Sequence, residues 1–460
     1  MANGLKRRDF LKSGTIFTVS SFVAGGTTTH LLAQAQGEPE KPPSANDHLQ
    51  IALIGAGGQG QYDTRTAVEV PGVKLVAVAD CYNGRLEHAK ELWGDDILTT
   101  RNYKEILARP DVDAVIIGTP DHWHKQAAVD AMNAGKDVYL EKPMIHLYSD
   151  GPEIIAAARK TNRILQVGSQ RVSSIVYQKA RELLAAGAIG ELNYADAWVD
   201  RGTAIGAWQY SIPPDASPAT VDWDRFLGRA PKVPFEPMRL FRWRNYRDYG
   251  TGVGGDLFVH LFSGLHFATG SNGPTRIYAS GGLRYWKDGR DVPDVLMGLY
   301  DYPASSRRPA FNLALRVNLI DGGVVEDGGL RCIGSEGMLT IGNGVTLART
   351  PREAEPGYTI DTFPKAVQEQ FLKQYREKYP PRPKTTTASM VEEENFVPPK
   401  GYSDHFEHIR NFLQAVRTRT PVIEDAVFGF RAAAPALLSN ISYFEQRQCL
   451  WDPENMVLKG

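Results

Sequence analysis

The chain has 460 residues, enough for two domains that each bury a sizeable core. Lys and Arg number 52 against 53 Asp and Glu, so no surplus charge marks the chain for nucleic acid or an acidic membrane surface. Its three cysteines, Cys81, Cys332 and Cys449, show no paired metal spacing and cannot all pair with one another, which argues against a disulfide framework.

In chain order, Lys6-Arg7-Arg8-Asp9-Phe10-Leu11-Lys12 precedes a mildly apolar run from Ser13 to Leu32 and then Ala33-Gln34-Ala35. This is the pattern of a twin-arginine export signal with a small-x-small cleavage site, and it predicts a signal over residues 1–35 and a periplasmic or otherwise exported protein. Thr27 to His30 interrupt the apolar run, so a permanent membrane span is not expected. Residues 36–47, rich in Pro and polar side chains, read as a linker.

An apolar strand from His48 to Ile54 then runs straight into Gly55-Ala56-Gly57-Gly58-Gln59-Gly60, a Gly-x-Gly-x-x-Gly turn. Gly55 permits the tight turn, Gly57 lets backbone approach a pyrophosphate, and Gly60 lets the following helix pack on the strand. The helix start offers unpaired N–H groups to phosphate. The next strand, Val73 to Ala79, ends in Asp80, a carboxylate placed to accept ribose hydroxyls and to repel a 2′-phosphate. That favours NAD as cofactor, while Arg85, which can pair with a 2′-phosphate, keeps NADP as the alternative. Further strands near 114–117, 137–140 and 164–167, with helices near 103–108 and 125–134, predict a parallel sheet covered on both faces over residues 48–170. Two loops fall at strand ends, Gly118-Thr119-Pro120-Asp121-His122-Trp123-His124 and Glu141-Lys142-Pro143. His122 and His124 lack companions at a zinc spacing, so they read as residues bordering the nicotinamide and no metal is expected.

The glycine turn, Asp80, Thr119-Pro120 with a nearby His, and Glu141-Lys142-Pro143 follow one another in an order that resembles the Gfo/Idh/MocA oxidoreductase family. The resemblance continues with Ala186-Gly187-Ala188-Ile189-Gly190-Glu191 and with Gly254-Gly255-Asp256-Leu257-Phe258-Val259-His260, and it covers most of the chain after residue 47. It implies a dinucleotide domain followed by an α+β domain on a large, mainly antiparallel open sheet. It also implies that Lys142, Asp256 and His260 form the catalytic group. Ser263 stands where an Asp is often found in the family, which puts the identity of the polyol in doubt.

The chemistry of these residues can be argued independently. Asp256 and His260, four apart, project from one face of a helix. The histidine can accept a hydroxyl proton while hydride leaves the same carbon, with Asp256 orienting the ring or binding a neighbouring hydroxyl. Lys142 can hold the hydroxyl oxygen and stabilise charge developing there.

Residues 171–460 read as the substrate and oligomerisation domain. Arg201 to Tyr249 is dense in aromatic residues and arginine, the composition that stacks on sugar faces and donates to hydroxyls. Arg171, Trp243 and Tyr246 are the candidate substrate contacts. Thr385 to Lys400 reads as a surface loop, and Asp404 to Arg417 as an amphipathic helix. The reading is an exported NAD(P)-dependent oxidoreductase acting on a secondary alcohol of a sugar, glycoside or polyol. A glycoside hydrolase or lyase using NAD by transient oxidation, or a non-catalytic sugar-binding relative, are the alternatives. A homo-oligomer joined through the second sheet is expected, with no nucleic-acid partner.

Overall fold

The structure, a computed structural model, describes residues 48–349, 359–380 and 392–459, so the expected signal and linker lie outside the described residues. The chain first lays down β1 (Leu49–Ile54), α1 (Gly58–Glu69), β2 (Val73–Ala79), α2 (Asn83–Trp93), β3 (Leu98–Thr100), α3 (Tyr103–Leu107), β4 (Ala114–Ile117), α4 (His124–Asn133), β5 (Asp137–Leu140), α5 (Gly151–Thr161) and β6 (Leu165–Val167). The six strands are parallel, in the order β3-β2-β1-β4-β5-β6. Strands β4 and β5 are buried along their whole length, as continuous apolar runs must be when helices cover both faces. Strand order reverses between β1 and β4, which opens the crevice at their carboxyl ends. Among the strands of this sheet only β3 escaped the sequence pattern, because an edge strand of three residues, Leu98-Thr99-Thr100, carries no readable alternation.

A second set of elements follows: α6 (Ile175–Ala185), β7 (Leu192–Arg201), α7 (Trp223–Leu227), α8 (Pro237–Phe241), a π-helical turn (Gly254–Phe258) leading into α9 (Val259–Thr269), β8 (Arg276–Gly282), β9 (Val295–Tyr302), β10 (Phe311–Asn318), β11 (Glu326–Gly334), β12 (Gly337–Ile341), β13 (Val345–Arg349), α10 (Lys365–Lys378), β14 (Glu392–Phe396), α11 (Asp404–Thr418), α12 (Ala426–Glu445), β15 (Cys449–Asp452) and β16 (Val457–Leu458). The strands form a ten-stranded sheet in the order β14-β13-β12-β11-β7-β10-β9-β8-β15-β16. It is antiparallel except where β7 and β10 run parallel, so the expected class of α/β dinucleotide domain plus mostly antiparallel α+β domain is the one observed. Alternate residues such as Leu313, Leu315 and Val317 of β10 are buried in the core that α9 and α12 share. On the opposite face of the sheet Tyr278, Met297 and Leu299 are exposed among the described residues.

Two features depart from the sequence reading. Glu392–Phe396, inside the expected loop from Thr385 to Lys400, pairs antiparallel with β13 as an edge strand; its run of glutamates hides a backbone ladder that needs no apolar side chains. Helix α11 is amphipathic as expected, but its buried Ile409, Phe412, Leu413 and Val416 join Leu49, Ile51 and Leu53 of β1 in one core. A helix from the far end of the chain therefore completes the dinucleotide domain. Among the described residues no helix is long and apolar enough to cross a membrane.

Candidate active site

At the carboxyl ends of β1, β2, β4 and β5 lies a cavity of about 540 Å³. The glycine turn forms its floor. Gly55 has φ +92°, and a Cβ there would stand 2.7 Å from Gly118 backbone. A Cβ at Gly60 would stand 2.2 Å from the Gly55 carbonyl oxygen, so only glycine lets α1 start so close to the strand. Over Gly58 nothing lies within 4 Å, and at Gly57 only the Arg85 guanidinium does, at 3.9 Å. The first turn of α1 has no side-chain cap, which leaves its N–H groups facing the open side.

Asp80 anchors this floor. Its Oδ2 accepts the Ala56 N–H at 2.8 Å and its Oδ1 the Tyr82 N–H at 2.9 Å. Arg85 Nη1 lies 3.4 Å from Asp80 Oδ2, and its guanidinium rests 5.4 Å from the centre of the Phe241 ring. The carboxylate thus offsets the nearest cation.

The second domain roofs the cavity. Val221 bridges to Tyr82, Asp222 N–H donates to the Cys81 carbonyl at 2.8 Å, and Asn83 N–H donates to the Thr220 carbonyl at 2.9 Å. From this roof Tyr210, Arg225, Phe226, Phe241, Trp243 and Arg244 enter the lining. Their signal in the sequence was the aromatic and arginine density of residues 201–249, which marked the stretch without singling out Arg244.

At the far end the domains meet in one ion cluster. Lys142 Nζ donates to Asp256 Oδ1 at 3.0 Å and to the Asp256 carbonyl at 3.1 Å, and Arg244 Nε lies 3.2 Å from the same Oδ1. The Arg244 guanidinium stacks 4.3 Å from the Trp243 ring centre. Burial pushes the Asp256 carboxyl up, but Lys142 and Arg244 overcome it and hold the group well below the usual carboxylate range. The π-helical turn carries Asp256 here, and it needs its glycines: a Cβ on Gly254 would strike Asn440 at 2.4 Å, and one on Gly255 would strike Thr251 at 2.2 Å. Such widened turns recur at functional sites.

The predicted residues separate into lining and support. Gly55, Gly57, Gly58, Gln59, Asp80, Arg85, Thr119, Pro120, Trp123, Glu141, Lys142 and Trp243 line the cavity. Ala56 and Gly60 sit behind it as packing. His122 and His124 are both buried away from it. His122 Nε2 lies 2.8 Å from the Phe226 carbonyl, which Trp123 Nε1 also reaches at 2.9 Å. The His124 ring lies between the Pro143 and Thr119 carbonyls at 2.7 and 3.0 Å. These histidines clamp the Thr119 loop to the roof and to the Lys142 loop; burial lowers them to about 3 and about 4.

His260 stands behind the lining, among Lys142, Arg171, Asp256 and Arg201. Its ring has no hydrogen-bond partner among the described residues, so Asp256 orients Lys142 and not the imidazole, contrary to one expected role. Burial, then the Lys142 and Arg171 charges, hold His260 well below its ordinary value. Arg171 approaches Asp404 at 4.0 Å and Tyr177 at 5.5 Å, outside the main cavity. Tyr246 is buried in an aromatic cluster with Tyr82, Phe226 and Tyr249. Ser263 is fully buried and its Oγ lies 3.3 Å from both Glu424 carboxylate oxygens, away from the cavity. Asp121, which the sequence left unassigned, lines the cavity and accepts from Thr251 N and Oγ1 at 3.0 and 2.7 Å. Burial, then the Asp256 charge, raise it to about 6.

Residues 49–169 match the model of the Gfo/Idh/MocA family, described as an oxidoreductase family with an NAD-binding Rossmann fold. Residues 49–169 are thus similar to the NAD-binding Rossmann domain of that family. The chain is 34% identical over 152 residues to scyllo-inositol 2-dehydrogenase (NAD(+)) of Bacillus subtilis, covering 32% of this chain and 43% of that one. It is 24% identical over 218 residues to a glycosyl hydrolase family 109 protein of Shewanella baltica, covering 42% and 46%. The chain thus spans less than half the length of these curated relatives. Over the whole fold it is similar to levoglucosan dehydrogenase in complex with NADH and levoglucosan, at TM-score 0.62 and 15% identity, covering 87% of this chain and 98% of that one. It is also similar to GenD2 from gentamicin A biosynthesis in complex with NAD, at TM-score 0.62 and 17% identity, covering 90% and 100%.

The residues present fit NAD on their own geometry: the cradle at Gly57 and Gly58 is open for a pyrophosphate, and Asp80, with Arg85 already engaged, would meet the ribose. Thr119, Pro120 and Lys142 line the rest of the cavity beyond the glycine floor.

Proposed function

We propose that the protein is an exported NAD-dependent oxidoreductase that moves hydride between the nicotinamide and a secondary alcohol of a sugar, glycoside or polyol. The observation that carries this is the Lys142–Asp256–Arg244 cluster at the end of a dinucleotide cavity, where the two domains meet. Bound NAD supplies a hydride acceptor. Lys142, fixed by Asp256, donates to the alcohol oxygen and stabilises the charge that develops there. His260, held neutral, takes the hydroxyl proton. Arg244 and Asp121 offer a donor and an acceptor for further hydroxyls, and Tyr210 and Trp243 offer flat faces for a ring. The names of the relatives, an inositol and a levoglucosan dehydrogenase, support the substrate class.

Residues 6–35 support export by the twin-arginine route, which carries proteins already folded. The roof over the cofactor cleft supports a dinucleotide that travels with the protein and stays bound, so that one oxidation is balanced by a later reduction. On the open sheet face Tyr194, Tyr278, Met297 and Leu299 are exposed, and Leu299 is 60% so; a second copy of the chain is the partner proposed for that face. A second reading, glycoside cleavage by transient oxidation and elimination, is favoured by the longer match to the glycosyl hydrolase relative.

The test is to purify the full chain, denature a portion and measure released dinucleotide per chain, then follow nicotinamide absorbance against a panel of sugars, glycosides and polyols. Reduction with a ketosugar product supports the first reading, and a freed sugar supports the second. A protein that changes no member of the panel overturns both.

A further inference from the structure

Behind Lys142 lies a buried acid cluster that the hydride chemistry does not use. Asp63 of α1, Tyr139 at the end of β5 and Ser169 are fully buried, and Glu141 is 5% exposed. Four oxygens here, Asp63 Oδ2, Tyr139 Oη, Glu141 Oε1 and Ser169 Oγ, have no hydrogen-bond partner among the described residues. The Asp63 and Glu141 carboxyls are hydrogen-bonding neighbours, yet two ionised carboxylates have no proton to place between them. Neighbouring buried like charges oppose one another, and one proton held between the two carboxyls supplies the donor that the pair lacks.

The surroundings fix how much charge is tolerated. Asp63 Oδ1 accepts Gln59 Nε2 at 2.8 Å and lies 2.8 Å from His405 Nε2. Glu141 Oε2 accepts the Lys142 N–H at 3.2 Å. Beside the pair stand Lys142 and His405, whose positive charges favour ionisation of Glu141, while the two carboxyls oppose one another. Burial dominates for both acids, raising Asp63 to about 7 and Glu141 well above the carboxylate range. His405 is the way out: its ring stacks 4.2 Å from Tyr62, which is 45% exposed, and its Nδ1 lies 3.2 Å from Thr66 Oγ1.

We propose that Asp63 and Glu141 share a single proton, forming a dyad of one negative charge that sets the electrostatics of Lys142 and exchanges its proton with solvent through His405. Loss of that proton doubles the charge beside Lys142 without moving a backbone atom, so Asp63 is a positioning residue whose influence depends on pH. The consequence for turnover rests on the reading of Lys142 as the group that holds the alcohol; the shared proton does not.

Asp63→Asn separates the two. The amide donates to Glu141 where the shared proton stood, so with Glu141 ionised the variant holds the single negative charge of the protonated dyad and has no second one to gain as pH rises. Infrared difference spectra of wild type minus Asp63→Asn should show a protonated-carboxyl band at neutral pH that disappears only as pH rises well above the ordinary carboxylate range. With a substrate found in the panel, the variant should match wild type on the acid side and move the alkaline limb of kcat/KM by roughly one pH unit or more. Should Asp63→Asn fail to fold, His405→Gln serves, and it should shift the same band without removing it. Absence of a protonated-carboxyl difference band overturns the dyad. A band with an unmoved pH profile overturns its role at Lys142, and a band in a protein that turns over nothing leaves the dyad standing while the proposed function falls.

Discussion

Lys142 Nζ and Asp256 Oδ1 are 3.0 Å apart although 114 residues separate them in sequence. The first ends a parallel strand and the second sits in a π-helical turn of the other domain, so the contact exists only when both domains are docked. Replacing Lys142 by Met removes the donor and leaves Asp256 to Arg244 alone. Turnover should fall by roughly a hundredfold or more, the scale of a lost oxyanion donor, while dinucleotide released per chain stays unchanged because the glycine floor holds it. Turnover near that of wild type removes Lys142 from the mechanism.

His260 is held below its ordinary value by burial and by the Lys142 and Arg171 charges. It stays neutral, and able to take a proton, at pH values below the ordinary histidine midpoint of about 6.5. The acid limb of kcat/KM should therefore lie below that midpoint, and it should vanish in His260→Ala. A limb that persists unchanged in the variant reduces His260 to a packing residue.

Asp121 is raised to about 6 from 3.8. Between those values the folded chain holds a proton that the unfolded chain has released, so this residue lowers stability as pH rises through the window. Asp121→Asn, whose side-chain oxygen can still accept from Thr251, is free of that cost. Denaturant titrations should show the gap between variant and wild type moving in the variant's favour by up to roughly 3 kcal/mol from about pH 4 to about pH 6. A pH-independent gap shows that Asp121 ionises without penalty.

Asp80 holds two backbone N–H groups and offsets Arg85. Asp80→Ser frees the guanidinium and removes the repulsion of a 2′-phosphate, so the NADP-to-NAD ratio of kcat/KM should rise by roughly tenfold or more. Wild type that already prefers NADP reverses the cofactor assignment.

On the open sheet face Leu299 pairs with Tyr278 across β8 and with Ala314 across β10, and Met297 lies two residues along the same strand. Leu299→Lys with Met297→Lys should lower the mass measured by sedimentation from an oligomer to a single chain and leave the melting of each chain intact. A wild type that sediments as a monomer refutes the proposed interface.

The nucleotide-binding half was legible because its signals are local. A strand, a glycine turn and an acidic residue at the next strand's end each follow from backbone sterics over a few residues, and the five expected strands of the first sheet stand where their apolar runs put them. Lys142, Asp256 and His260 were nameable for a related reason: the residue types carry the chemistry and the motifs recur in order. The partners of those residues were not legible. That Asp256 binds Lys142 and Arg244, that His122 and His124 serve as clamps, that Ser263 faces Glu424 and that α11 closes the first core all depend on side chains meeting across long sequence separations. Burial made these choices, because each buried donor, acceptor and charge must find a partner in whatever the packed chain brings beside it, and packing is a property of the whole fold.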